Sequence, residues 1–309
     1  MRGWFRKKQI FLIAFFISAQ ILWAQVANHL QNAKQAFLQN DYFLTISEAT
    51  QFLLENPKNT EALLLRGQAH HENKHYRDAL HDYALAIEID ENLASAYALS
   101  AYTYFKLLDY RLARKNYILA LTIDTKNPLY YFNLGCVLSK ELKWKEAIRN
   151  YTEALVYQPG YYDAFVNRAD AYGIQKAFQL AIYDYDSALK IQPRNPELYL
   201  LRGLNLISLH RNKEAINMFN RSLFYKPGNF NAYFSRGRAL FELKQFANAK
   251  ANFDTAIALN PKLGIAWFNR GVALLELSKY NREEACNDFK KAVELGCGEA
   301  WDYLKKHCE

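Results

Sequence analysis

Small residues return along this chain with a fixed step. Ala33, Gly67, Ala101, Gly135, Ala169, Gly203, Gly237 and Gly271 follow one another at intervals of 34 residues. A second ladder runs Thr45, Ala79, Ala113, Ala147, Ala181, Ala215 and Ala249, and a third runs Phe52, Ala86, Ala120, Ala154, Ala188, Ser222 and Ala256. Aromatic residues keep the same step: Tyr83, Tyr117, Tyr151, Tyr185, Phe219 and Phe253 form one column, and Tyr42, Tyr76, Tyr110, Trp144, Phe178 and Phe246 another. Pro57, Pro159, Pro193, Pro227 and Pro261 close five of the units. Self-similarity at such a period predicts a repeat architecture. Each unit reads as two short helices: small residues let the two backbones approach, the aromatic column fills the space beside that contact, and proline ends the second helix. One such pair cannot cover its own apolar face, so stacked neighbours supply the core.

On these columns the chain resembles the tetratricopeptide repeat family. The runs Trp144-Lys145-Glu146-Ala147-Ile148 and Phe246-Ala247-Asn248-Ala249-Lys250, each followed by a proline that closes its unit, are similar to that family's second-helix signature. The resemblance covers the chain beyond its first 25 residues and implies an all-α, right-handed α-solenoid of about eight helix-turn-helix units. Their expected bounds are 26–59, 60–93, 94–127, 128–161, 162–195, 196–229, 230–263 and 264–297, followed by a C-terminal cap over 298–309. The first unit departs from the pattern at Thr45, Ala49 and Phe52. In the last, Ala285, Phe289 and Ala292 fall two residues late, which implies an insertion near Tyr280 to Glu283. Cys286, Cys297 and Cys308 lie close together near the C-terminus. If the chain turns near Gly296 to Gly298, Cys286 and Cys308 are equidistant from the turn. The spacing therefore predicts a Cys286–Cys308 disulfide, with Cys297–Cys308 as the alternative pairing and unpaired thiols as the other possibility.

Residues 1–25 stand apart from the repeats. Arg2, Arg6, Lys7 and Lys8 precede an uncharged, largely apolar stretch from Ile10 to Ala24, the pattern of a secretory signal peptide. Cleavage after Ala24 leaves Gln25 at the new N-terminus. Bulky Leu22 near the cleavage site keeps an uncleaved membrane anchor over residues 10–24 open as the alternative. Either way the expected location is a bacterial periplasm or cell envelope. The formal charge of +8 also shrinks here, since 35 basic against 31 acidic residues remain once those four are set aside. So small a surplus makes no footprint for a phosphate backbone, and nucleic acid is excluded as a partner. With 51% hydrophobic residues and only 12 Gly and 7 Pro, the chain is neither disordered nor linker-like.

Few residues suggest chemistry. His71, Glu72 and His75 match the H-E-x-x-H pattern of zinc proteases, which works only on one continuous helix. The repeat phase puts His71 at the end of a first helix and His75 in the turn, so a metal-dependent hydrolase is only a remote reading. No cofactor is expected. Arg66, Arg168, Arg202, Arg236 and Arg270 precede small-column residues. Asp82, Asp184 and Asn252 stand sixteen residues after Arg66, Arg168 and Arg236, and Asp288 follows the insertion. Each such pair is expected to hydrogen-bond, whereas Met218 faces Arg202 and leaves it most available to an acidic ligand. By the family resemblance the first helices line a concave groove, with Tyr102, Phe105, Phe132, Phe234, Arg238, Phe241 and Phe268 as its candidate residues. Leu64, Ala98, Phe132 and Val166 fill a column where carboxylate-gripping relatives use polar clamp residues, which argues against that activity. A non-catalytic scaffold for a protein or peptide partner is the expected function, with an envelope glycan binder using groove aromatics as the alternative.

Overall fold

Apolar positions that return every three to four residues wind a chain into helices, and here the helices come in pairs. The computed structural model describes residues 28–308, and among them there is no strand. The expected signal segment, residues 1–25, lies outside the described residues. The chain divides into two compact units, Met1–Tyr157 and Gln158–Glu309. In the first, α1 occupies 28–38 and is followed by α2 (Tyr42–Glu55), α3 (Thr60–Glu72), α4 (Tyr76–Ile89), α5 (Ala94–Lys106), α6 (Tyr110–Ile123), α7 (Pro128–Lys140) and α8 (Trp144–Tyr157). The second holds α9 (Tyr162–Ile174), α10 (Phe178–Ile191), α11 (Pro196–Ser208), α12 (Asn212–Tyr225), α13 (Phe230–Glu242), α14 (Phe246–Leu259), α15 (Gly264–Leu277), a 3-10 turn (Lys279–Asn281), α16 (Arg282–Glu294) and α17 (Glu299–Cys308). Within each unit this is an all-α solenoid of stacked helical pairs.

Local chemistry sets the helix ends. Asn59, Asn127, Asn195 and Asn229 precede first helices, and each side-chain oxygen accepts an N–H of the first turn. Asp41 and Asp109 do the same for α2 and α6. Pro128 and Pro196 open α7 and α11, where a missing N–H costs nothing. The turn from first to second helix is made by a left-handed residue that recurs at the repeat period: Asn40, Lys74, Leu108, Leu142, Lys176, His210 and Lys244, with φ between 57° and 63°. The residue after it sends its N–H back five positions, as from His75 to His70 at 2.8 Å and from Lys143 to Leu138 at 2.9 Å. That bond satisfies a carbonyl the helix end leaves open. None of the seven is glycine, so each carries backbone strain of about 1 kcal/mol.

In five of the pairs the core is one ring set into one gap. A Cβ placed on Gly67, Gly135, Gly203, Gly237 or Gly271 meets the ring of Tyr83, Tyr151, Phe219, Phe253 or Phe289 at 2.5–2.6 Å. These rings are essentially inaccessible to solvent, as are Tyr117 and Tyr185 opposite Ala101 and Ala169. Burial pushes the hydroxyls of Tyr83, Tyr117 and Tyr185 well above the ordinary phenol value, so the rings remain neutral. At the C-terminal end, α15 runs on to Leu277 and the 3-10 turn delays α16. α17 then closes the end, burying Ala300 and setting Tyr303 against Phe268 and Phe289 at 5.0 and 5.5 Å between ring centres. A Cys286–Cys308 disulfide ties α16 to α17, with Cα atoms 5.7 Å apart, while Cys136 and Cys297 are thiols.

The strained turns yield a stability prediction. Leu142 holds φ 59° and is 71% exposed, so its side chain contributes little packing. Leu142→Gly is expected to raise stability by about 0.5–1 kcal/mol, read as a higher urea midpoint, because glycine adopts this conformation without the Cβ clash.

Candidate ligand groove

In the first unit the first helices bring one stripe of α5 against residues of α3 and α7. Ser95, Ala98, Leu99 and Tyr102 share one face of α5, at the spacing that puts side chains above one another. Gln68 of α3, Leu129, Tyr130 and Asn133 of α7, and Tyr117 of α6 complete the lining of an open recess of about 450 Å³. A neighbouring recess of about 170 Å³ shares Gln68, Leu99 and Tyr102 and adds Phe37, His71, Glu72 and Tyr83. Leu129 is half exposed, and Tyr102 is 38% exposed.

The Tyr102 ring is held in place before any ligand arrives. His71 stacks on it at 5.0 Å between ring centres, and the Lys106 ammonium sits 5.0 Å from its centroid. His71 is itself fixed. Thr103 gives its hydroxyl hydrogen to the Leu99 carbonyl at 2.9 Å, so His71 Nδ1, 2.8 Å from Thr103 Oγ1, donates to it. Burial lowers the His71 pKa and keeps the ring neutral. Burial likewise raises that of Tyr130, whose hydroxyl remains protonated. The arrangement offers an apolar hollow for one or two side chains, with the Gln68 and Asn133 amides positioned to serve a peptide backbone.

The candidate residues read from the sequence are not all brought together here. Tyr102 lines both recesses. Phe132 and Phe234 are half-buried and pack on Tyr151 and Phe253, each 5.9 Å between ring centres. Phe105 and Phe241 close the turns of their own pairs against Tyr110 and Phe246. Arg238 is exposed, with its guanidinium 6.0 Å from the Phe234 ring. Phe268 is corrected outright: it is only 8% exposed because α17 covers it, so it belongs to the core. Leu99, Leu129, Tyr130, Gln68 and Asn133 were missed. The signal that could have found them is the apolar stripe of α5 itself, which ends on Tyr102.

Four of the five arginines take the partners expected of them, and Arg202 does not. Arg66, Arg168 and Arg270 each grip the aspartate of their own second helix through two nitrogens, at 2.6–2.9 Å, and Arg236 donates to Asn252 at 2.8 Å. Arg202 is not free. It donates to Asp186 of the preceding second helix at 2.6 and 3.2 Å. Arg66 reaches Thr50, Arg236 reaches Asn220 and Arg270 reaches Asp254 in the same way, each sixteen residues back. These side chains therefore stitch one pair to the next. The H-E-x-x-H residues are split by the turn, with His71 buried in α3 and His75 at the N-cap of α4.

Three sequence models of the tetratricopeptide repeat match the chain, over residues 60–93, 132–196 and 230–263. The chain belongs to the tetratricopeptide repeat family. Solved tetratricopeptide structures share the fold at low identity. The C-terminal part of a TPR repeat-containing protein from Cytophaga hutchinsonii is 19% identical with a TM-score of 0.65, covering 77% of this chain and 98% of that one. A tetratricopeptide repeat protein from Parabacteroides merdae is 20% identical with a TM-score of 0.56, covering 81% and 99%. YrrB, a TPR protein with an unusual peptide-binding site, is 22% identical with a TM-score of 0.52, covering 62% and 97%. No curated protein matches the sequence.

The arginine stitches of this tetratricopeptide array differ in what they leave behind when cut. Arg270→Ala strands Asp288, whose side chain is 3% exposed, and is expected to cost about 3 kcal/mol. Arg202→Ala leaves Asp186, 40% exposed, in contact with water and is expected to cost under about 1 kcal/mol. Chemical denaturation of the two variants checks the order.

Proposed function

We propose that this tetratricopeptide protein is a non-catalytic interaction scaffold. It binds an extended peptide or partner helix in the first unit, with an apolar side chain of the ligand entering the recess beside Tyr102. The observation that carries this reading is the stripe of Ser95, Ala98, Leu99 and Tyr102 opposite Leu129 and Tyr130, an apolar hollow with amides at its rim. The peptide-binding site named for YrrB, which has the same fold, supports this reading. A glycan stacked flat on aromatic rings fits less well, because the Tyr102 ring is already engaged by His71 and Lys106. We further propose that residues 1–25 direct the protein to the cell envelope. The disulfide between Cys286 and Cys308 supports an oxidising destination.

Selection of a random peptide library on the full chain tests the binding site. Peptides retained by wild type are expected to carry a large apolar residue and to lose at least about tenfold in affinity for Tyr102→Ala/Tyr130→Ala, as for loss of two buried aromatic contacts. Phe234→Ala in the second unit is expected to leave their affinity unchanged. Equal binding by wild type and the double tyrosine variant would place the site elsewhere.

A further inference from the structure

In the second repeat a histidine stands where every other repeat carries an apolar or aromatic residue. The positions related to His70 by the repeat step are Ala36, Tyr104, Leu138, Tyr172, Leu206, Leu240 and Leu274. A core position with one polar exception needs a reason beyond packing. Two more ligating residues converge on it. One ring nitrogen each of His70 and His75, and one carboxylate oxygen of Asp78, all lie within 4.8 Å of one another. The corresponding residues of the other repeats bring no such set together among the described residues.

We propose that His70, His75 and Asp78 form a binding site for a borderline divalent transition ion of the Zn²⁺ class, clipping the end of α3 to the start of α4. Two imidazoles and a carboxylate suit such an ion, leave further coordination positions to water, and suit Mg²⁺ or Ca²⁺ poorly. Three features of the fold favour this use. The Nδ1 atom of His70 is buried and has no hydrogen-bond partner, a costly condition that ligation through that nitrogen turns to use. His75 occupies the N-cap of α4 without capping it through its side chain, so its imidazole is uncommitted there. The backbone is also pre-set, since the His75 N–H donates to the His70 carbonyl at 2.8 Å and fixes the two residues across the turn. Ligand atoms around a tetrahedral ion stand about 3.3 Å apart, and rotation of the exposed His75 and Asp78 side chains closes the remaining gap.

This site is not the zinc-protease set that the sequence suggests. His71 points instead to Thr103 and Tyr102, and Glu72 lines the smaller recess. Titration of the full chain with ZnCl₂ by calorimetry tests the assignment. Wild type is expected to take up one Zn²⁺ at this site. His75→Ala and Asp78→Asn, both exposed and checked for folding by circular dichroism, are each expected to weaken uptake at least about tenfold, and Glu72→Gln to leave it unchanged. Absence of saturable uptake, uptake unaltered by His75→Ala and Asp78→Asn, or loss on Glu72→Gln overturns it.

Discussion

In five of the helical pairs, the contact on which the rest depends is an aromatic ring occupying the place of a missing side chain. Where Gly237 stands, a Cβ lies 2.6 Å from the Phe253 ring, and the same holds at Gly67, Gly135, Gly203 and Gly271 with their own partners. A ring of this size gains its burial only if the facing helix comes close, and the facing helix comes close only where it carries glycine or alanine. Alanine at 33, 101 and 169 is the largest residue the column holds. That constraint fixes the separation and phase of both helices, and everything else is placed relative to it.

Two layers of function-bearing side chains follow from that phase. The residue before the small column points toward the second helices: Arg66 and Arg236 reach sixteen positions forward within their pair and sixteen back to the preceding one, and Arg270 reaches eighteen forward, across the insertion, and sixteen back. The opposite stripe, seen in α5 as Ser95, Ala98, Leu99 and Tyr102, is left facing the neighbouring first helices. The hollow between Tyr102 and Tyr130 is open, and the proposed ligand gains by burying its apolar walls. Polar residues that interrupt the scheme, such as His70, mark places where the repeat does something besides stack.

The helical pairs were legible in the sequence because the small and aromatic columns report a contact that tolerates almost no variation. The two-residue delay of Ala285 and Phe289 was legible for the same reason, and it appears as the 3-10 turn before α16. Other features leave weaker marks. The left-handed turn residues carry no glycine, so Leu142 and Lys244 announce nothing. The Asn59, Asn127, Asn195 and Asn229 caps share a period that was open to reading but easily taken for loop polarity. Arg202 reads as unpaired in the sequence because Met218 stands at the forward position, whereas its partner Asp186 lies in the preceding repeat. Phe268 looked like a groove residue because its column is half-open elsewhere, at Phe132 and Phe234; only the position of α17 buries it.

Gly237→Val tests the small-residue contact most directly. The variant puts two methyl groups beyond a Cβ that already meets Phe253, at a site where neither helix can retreat without uncovering the ring. Urea denaturation followed by circular dichroism is expected to show a loss of about 3 kcal/mol relative to wild type, at the upper end of the cost of overpacking a dense core. An unchanged midpoint would contradict the claim that ring and gap together set the geometry of the pair.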